Sequence, residues 1–156
     1  MVKICTDSCV DINKNQIFEN NISIIPLCVI LGEDEYFDGV NITPKEIFDY
    51  VKKRNQLPKT SARSVEDLKE FFKSQLDGDS EVVYLGISGK LSSTYENALR
   101  AKEELQTDKL FIVDSKSLST GIGLLVLYGC QLAEKGLTGK EIAQILTRQA
   151  DFVQAS

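Results

Sequence analysis

The chain has 156 residues, a net charge of −5 at pH 7 and 42% hydrophobic residues. This length predicts one domain that can bury a hydrophobic core without disulfides. The acidic balance, with no long cluster among the 18 Lys and Arg residues, excludes a basic nucleic-acid-binding face, so we expect no DNA or RNA partner.

The cysteine and histidine content limits the kinds of site that the chain can form. The four cysteines have no C-x-x-C spacing and the chain has no histidine, so we expect no metal site. The N-terminus has no apolar run typical of a signal peptide, and no segment approaches the ~20 apolar residues that cross a bilayer. These observations predict a soluble, cytoplasmic protein with reduced cysteines and no membrane span.

The first quarter of the chain is read as strands. Val2 to Cys5 is a short apolar strand, and the apolar run 22–31 predicts a second strand, followed by a turn and a short strand. Pro26 interrupts the second strand. Because proline cannot donate to a central ladder, this strand is predicted to lie at a sheet edge or to begin late.

A helix is predicted to start at Thr43, with proline in its first turn and Glu46 completing a capping box. It is expected to end before Pro58. Its predicted buried face consists of Ile47, Phe48 and Val51.

The segment 58–64 is read as a polar loop before another amphipathic helix. Ser64 is the predicted cap of that helix, with Asp67 three residues further on. Thr60, Ser61 and Arg63 are not needed for the cap, so a functional site could use them. The alternative is an ordinary polar loop.

The stretch 82–98 predicts a buried strand that turns into a helix. Four hydroxyl residues lie between them: Ser88, Ser92, Ser93 and Thr94. The free N–H groups and positive dipole end of a helix favour an anion such as a carboxylate or phosphate. Ser93 with Glu96 also matches a capping box, which is the structural alternative for that serine.

The last third of the chain predicts a strand at 110–113 and two helices. Ser119 to Glu134 is apolar on most sides and is expected to be largely buried, with Gly136 closing the helix. Thr138 opens the last helix, which continues through Ile142, Ile145 and Leu146.

Three predicted strands end in serine, at Ser8, Ser88 and Ser115. In open α/β sheets, ligands bind beyond the carboxyl ends of the strands, so these serines are predicted to line one polar pocket. The alternative is that they are ordinary turn residues. The lack of histidine excludes a Ser-His-Asp hydrolase within this chain.

Seven short pieces, in order, resemble the N-terminal domain of the DegV family of fatty-acid-binding proteins across almost the whole chain. They are Thr6-Asp7-Ser8 with Asp11, Ile25-Pro26-Leu27, Phe37-Asp38-Gly39, Pro58-Lys59-Thr60-Ser61 with Ser64, Ile87-Ser88 with Leu91-Ser92, Thr94-Tyr95 with Ala98, and Asp114-Ser115 with Ser119, Gly121 and Gly123.

The resemblance implies an α/β fold with a mostly parallel sheet and helices on both faces. It also implies a carrier without catalytic residues or cofactor, which holds a long-chain fatty acid and presents its carboxylate to a separate fatty acid kinase that makes an acyl phosphate. Carried over, the residues that grip the carboxylate are Thr60 and Ser92, with Ser61, Ser93 and Thr94 beside them.

Two departures from the family pattern affect the head-group site. Ser93 stands where the family usually has glycine, and Ala62-Arg63 replaces the usual Gln-Pro. Family members are also considerably longer, so residues 1–156 are expected to be an N-terminal fragment that lacks the second lobe. The face left by that lobe is a predicted site of self-association.

Two other functions remain open from the residues alone. One is an enzyme acting on a small carboxylated or phosphorylated metabolite at the same strand ends, although no paired base and nucleophile is evident. The other is a stand-alone interaction domain with an exposed apolar face.

Overall fold

The computed structural model describes residues 1–155, in which strands and helices alternate along most of the chain. In order, the elements are β1 (Val2–Asp7), α1 (Lys14–Glu19), β2 (Ser23–Ile25), β3 (Cys28–Leu31), β4 (Asp34–Phe37), α2 (Pro44–Arg54), β5 (Lys59–Ser61), α3 (Val65–Gln75), β6 (Glu81–Gly86), α4 (Thr94–Leu105), β7 (Leu110–Asp114), α5 (Thr120–Glu134), α6 (Gly139–Gln149) and a 3₁₀ turn (Ala150–Phe152).

A parallel sheet in the order β2-β1-β6-β7 forms the centre of the fold. Its central strand β6 is buried on both faces, as its continuous apolar sequence requires. Alternate residues of β6 point to opposite sides: Val83 and Leu85 join the core with α5 and α6, whereas Val82 and Tyr84 join the core with α3 and α4. The predicted α/β class, with a mostly parallel sheet and helices on both faces, is confirmed.

A second, antiparallel sheet in the order β4-β3-β5 was not predicted. The run 22–31 is not one strand, because the chain leaves the parallel sheet after Ile25 and enters the second sheet at Cys28. The edge position inferred from Pro26 is confirmed, since β2 is an edge strand that ends just before the proline.

The loop predicted for Thr60 and Ser61 is wrong, because both residues belong to β5. Thr60 pairs with Val29 and Ser61 pairs with Cys28 in the antiparallel register. A three-residue polar strand such as β5 has no alternating apolar pattern of its own, so its pairing depends on the long-range contact with β3.

Helix α2 starts and ends as predicted, with the capping box between Thr43 and Glu46 formed. Ile47 packs against a small core made by Val29, Leu31 and Ile42. Phe48, however, is 66% exposed, so its predicted burial is wrong. Phe48 lies outside this small core, whose partly buried members from α2 are Ile47 and Tyr50.

Ser64 caps α3 as predicted, since its Oγ accepts a hydrogen bond from the Asp67 amide at 3.1 Å. The capping box predicted for Ser93 and Glu96 is wrong. Ser93 has helical backbone angles (φ −71°, ψ −3°) and its side chain makes no capping hydrogen bond. A capping side chain needs an extended backbone to reach the first turn, and Ser64 has one (φ −70°, ψ 160°).

The last two long helices agree with the sequence. Helix α5 is buried along most of its length, Gly136 follows it with a φ of +85°, and Thr138 caps α6. Helix α1 was not predicted, although Asn13 and Gln16 form a capping box that marks its start.

We expect Ser64→Ala to lower the free energy of unfolding by about 1 kcal/mol, because the substitution removes a formed helix cap. Ser93→Ala is the matched control: it alters a serine at the same position of another helix, but one whose side chain caps nothing. Urea unfolding of both variants measures the difference. Equal losses in the two variants would contradict this assignment of the caps.

Candidate functional site

A buried carboxylate organises the carboxyl end of the parallel sheet. Asp7, the last residue of β1, is fully buried. Its Oδ1 accepts from the Cys9 amide at 2.9 Å and its Oδ2 accepts from the Ile87 amide at 2.8 Å. The Tyr84 hydroxyl lies 3.4 Å from the same Oδ2. Asp7 therefore joins the ends of β1 and β6 and fixes the turn that leads to the hydroxyl residues.

Burial and hydrogen bonding shift the pKa of the Asp7 carboxyl in opposite directions. Removal from water raises the pKa of this carboxyl, whereas the hydrogen bonds from Ile87, Cys9 and Tyr84 act to lower it, and the net shift is upward. Burial, with the Asp7 charge beside it, also raises the pKa of the Tyr84 phenol well above its usual range. Tyr84 thus stays a neutral hydroxyl.

The raised pKa of Asp7 predicts a pH dependence of stability. The unfolded chain releases this proton near the usual value of 3.8, and the folded chain releases it at a higher pH. As the pH rises through that interval, the unfolded state binds fewer protons than the folded state, so the contribution of Asp7 to the free energy of unfolding falls.

The Asp7→Asn variant has no titratable group at residue 7, so it is the reference for the pH dependence that Asp7 causes. We expect the difference in unfolding free energy, wild type minus Asp7→Asn, to decrease from pH 3.8 upward and then level off. Denaturant unfolding at a series of pH values measures it. A difference that increases with pH would show that the hydrogen bonds outweigh the cost of burying the charge.

The three serines predicted to line one pocket each form a hydrogen bond with the backbone. Ser8 Oγ accepts from the Leu27 amide, Ser88 Oγ accepts from the Lys90 amide, and the buried Ser115 hydroxyl donates to the Gly86 carbonyl. Ser115, which follows β7, therefore links the ends of β6 and β7. These serines shape the turns around the site, and their position agrees with the turn alternative.

A cleft of about 440 Å³ lies between the end of the parallel sheet and the antiparallel sheet. Its polar rim includes Thr60, Ser61, Ser92 and Ser93, four of the five residues proposed for carboxylate binding. Apolar side chains and further groups form the rest of its wall: Cys9, Leu27, Cys28, Val29, Asp38, Ala62, Ile87 and Leu91. The structure thus brings the 58–64 segment and the start of α4 to one opening.

The fifth residue, Thr94, lies behind this rim. It is fully buried at the first position of α4. Its Oγ1 lies 3.0 Å from Ser92 Oγ and accepts a hydrogen bond from the Arg63 amide at 3.2 Å. The Thr94 amide in turn donates to Ser92 Oγ at 3.2 Å. Ser92, Thr94 and Arg63 therefore form one connected chain of hydrogen bonds.

Arg63 holds this region together from the side of the second sheet. Its side chain is only 11% exposed and forms an ion pair with Asp67 at 3.4 Å. The guanidinium lies over the Phe37 ring at 4.9 Å, and Nη1 is 3.6 Å from Cys28 Sγ at the cleft wall. The Arg63 carbonyl accepts a hydrogen bond from the Asn97 side chain at 2.8 Å, which links the segment after β5 to α4.

Sequence reasoning named Arg63 as a residue that a functional site could use, but it assigned no site role to Asp7 or Asp38. The position of Asp7 at a strand end is visible in the sequence, but nothing in a single sequence shows that its carboxylate accepts hydrogen bonds from two backbone amides. Within residues 1–155, Asp, Glu and Cys side chains form no cluster of three that could hold a metal ion. In the same range, no helix is both long and apolar enough to cross a bilayer.

The parallel sheet with helices on both faces defines an α/β protein, and the hydroxyl-lined cleft at the carboxyl end of the sheet lies where proteins of this class commonly bind ligands. A family model described as "Uncharacterised protein, DegV family" matches residues 1–155. The chain belongs to the DegV family.

Similar proteins come from several bacteria. A DegV domain-containing protein of Clostridium perfringens is 29% identical over 155 residues, and one of Clostridium acetobutylicum is 32% identical over 155 residues. The matches cover 99% of this chain and 56% of each relative. The chain therefore spans about half the length of these relatives.

Solved structures of similar fold include proteins described by their ligand. A DegV family protein from Thermus thermophilus, described for its fatty acid binding, has a TM-score of 0.87 and 32% identity, covering 96% of this chain and 53% of that chain. A stearic acid-binding protein from Eubacterium ventriosum has a TM-score of 0.82 and 30% identity, covering 94% of this chain and 52% of that chain.

Proposed function

We propose that this chain binds a long-chain fatty acid and holds its carboxylate at the hydroxyl rim of the cleft. In this proposal Thr60 and Ser92 grip the carboxylate, and Ser61, Ser93 and Thr94 lie beside them. The single observation that carries the proposal is that Thr60, in β5, and Ser92, in the turn between β6 and α4, line the same cleft. The fatty-acid-binding description of the relatives from Thermus thermophilus and Eubacterium ventriosum supports the choice of ligand.

The chemistry of the rim suits an anionic acceptor. The Thr60 side chain is exposed and makes no hydrogen bond within residues 1–155, so its hydroxyl is free to donate. Hydrogen bonds to a charged acceptor contribute about 1.5–3 kcal/mol each when shielded from water. Two or three such donors fix the orientation of a carboxylate and discriminate against a ligand without one.

The apolar wall of the cleft suits the start of an acyl chain. Leu27, Val29, Ile87 and Leu91 surround the hydroxyls. Each methylene removed from water contributes about 0.8 kcal/mol, so the tail supplies affinity while the hydroxyls supply orientation. A cleft of about 440 Å³ accommodates part of such a chain.

The rest of the acyl tunnel is assigned to a second lobe in this proposal. In this proposal the chain corresponds to the N-terminal lobe and supplies the orienting half of the site, in agreement with its span of about half the length of its relatives. The protein acts as a carrier that presents the carboxylate to a separate fatty acid kinase, with no catalytic residue of its own. We further propose that the face which such a lobe would cover is a site for self-association when no lobe covers it.

Mass spectrometry of lipid extracted from the purified, denatured chain tests the ligand. The expected result is a fatty acid in a stoichiometry that falls when Thr60 is changed to alanine. A preparation that carries no fatty acid, and that takes up none when stearic acid is added, would contradict the proposal.

A further inference from the structure

We propose that Thr94 is a positioning residue that forces the Ser92 hydroxyl to act as a hydrogen-bond donor toward the cleft. This inference rests on the proposed function, because it concerns how the same rim selects an acceptor ligand. It changes the role of Thr94 from a direct contact to a group that acts through Ser92.

The direction of the Thr94–Ser92 hydrogen bond follows from the surroundings of Thr94. Its Oγ1 already accepts from the Arg63 amide, which can only donate. The residue is fully buried, and within residues 1–155 Ser92 Oγ is the one acceptor in hydrogen-bonding distance of the Thr94 hydroxyl proton. The opposite direction would bury that proton without a partner, which is costly. Thr94 therefore donates to Ser92.

The consequence for Ser92 concerns its two lone pairs. Its Oγ accepts from the Thr94 hydroxyl at 3.0 Å and from the Thr94 amide at 3.2 Å. A hydroxyl has two acceptor positions and one proton, so both acceptor positions are filled. The remaining proton of Ser92, a residue that lines the cleft, is directed at the ligand. A carboxylate, which only accepts, is favoured, and an ammonium, which only donates, is rejected.

The contacts of Arg63 fix the position of the amide that donates to Thr94. The Arg63 amide donates to Thr94 Oγ1. The Arg63 guanidinium contacts Asp67 and Phe37, and its carbonyl accepts a hydrogen bond from Asn97. The Arg63 amide is consequently fixed in place before any ligand arrives. In this inference the direction of the Ser92 hydroxyl is set by the Arg63 amide and the buried Thr94 hydroxyl.

The test compares octanoate with octylammonium, which share one chain length and differ in the head group. Binding is followed by amide shifts of Ser92 and Thr60 in two-dimensional NMR spectra. In the wild-type chain we expect octanoate to bind in preference to octylammonium. In Thr94→Val, Ser92 regains a free acceptor position, and we expect that preference to fall by about fivefold or more. Thr94→Ser restores the hydroxyl and is expected to restore the preference.

The outcomes separate the two proposals. If the wild type binds octanoate at these amides but Thr94→Val keeps the full preference, the positioning role is wrong while the proposed function stands. If octanoate shifts neither amide in the wild type, the proposed function itself fails.

A second measurement needs no variant and remains available if Thr94→Val does not fold. The buried Thr94 hydroxyl proton is shielded from exchange with water and is expected to show a nuclear Overhauser effect to the Ser92 β protons. A Ser92 hydroxyl proton held against Thr94 Oγ1 instead would overturn the inference.

Discussion

Gly86→Ala is expected to lower the free energy of unfolding by about 3 kcal/mol or more, because a methyl group here has no room. Gly86 is the last residue of β6, and a Cβ built on it would collide with the Asp7 carboxylate and lie 2.6 Å from the Tyr84 hydroxyl oxygen. The Asp7 carboxylate cannot move away without breaking its hydrogen bonds to the Ile87 and Cys9 amides.

Gly136→Ala is the control for this experiment. Gly136 has a φ of +85° and no neighbouring atom within 4 Å of an added Cβ, so the substitution introduces backbone strain without a collision. Such strain costs about 1–2 kcal/mol. Thermal and urea unfolding compare the two variants. If Gly86→Ala is no less stable than Gly136→Ala, the close packing of β6 against Asp7 is wrong.

The second large effect is expected on ligand binding. Thr60→Ala should weaken fatty acid binding about tenfold or more, because it removes one donor to a charged acceptor. The unfolding free energy should stay near that of the wild type, since the Thr60 side chain is exposed and unpaired within residues 1–155. Titration with stearic acid, alongside a thermal melt, measures both quantities.

Ser92→Ala should weaken binding to a similar degree and also cost some stability. Its Oγ accepts from the Thr94 amide and hydroxyl, and both donors lose their partner in the variant. Ser64→Ala is the control with the opposite profile, since it should lose a helix cap and keep fatty acid binding. If Thr60→Ala and Ser92→Ala are less stable but bind at full strength, the assignment of the rim fails.

Features fixed by neighbouring residues could be predicted from the sequence. The apolar run of β6 predicted a buried parallel strand, and the caps at Thr43, Ser64 and Thr138 were each marked by residues within one turn. Ser93 matched the same local pattern and still did not cap. At this helix start the side-chain oxygen that accepts from a first-turn amide belongs to the preceding residue, since Ser92 Oγ accepts from the Thr94 amide.

Features that depend on distant pairing could not be predicted in the same way. The antiparallel sheet joins residues 28–31 to residues 59–61, and the short polar β5 has no pattern that shows its partner. The exposure of Phe48 could not be predicted either, because the core that α2 joins through Ile47 contains residues of the unpredicted sheet, Val29 and Leu31.

The candidate site shows the same division. The hydroxyls of the rim could be chosen from their place at a strand end and a helix start, and the family resemblance singled out Thr60 and Ser92. The buried polar contacts that support them were missed, because Asp7 and Arg63 find their partners in segments far along the chain.

A crystal structure of this chain grown with stearic acid tests the central claim most directly. Our account predicts that the carboxylate lies within hydrogen-bonding distance of the Thr60 and Ser92 hydroxyls, with the acyl chain starting along Leu27 and Ile87. A carboxylate bound elsewhere on the protein, with the cleft free of lipid, would contradict it.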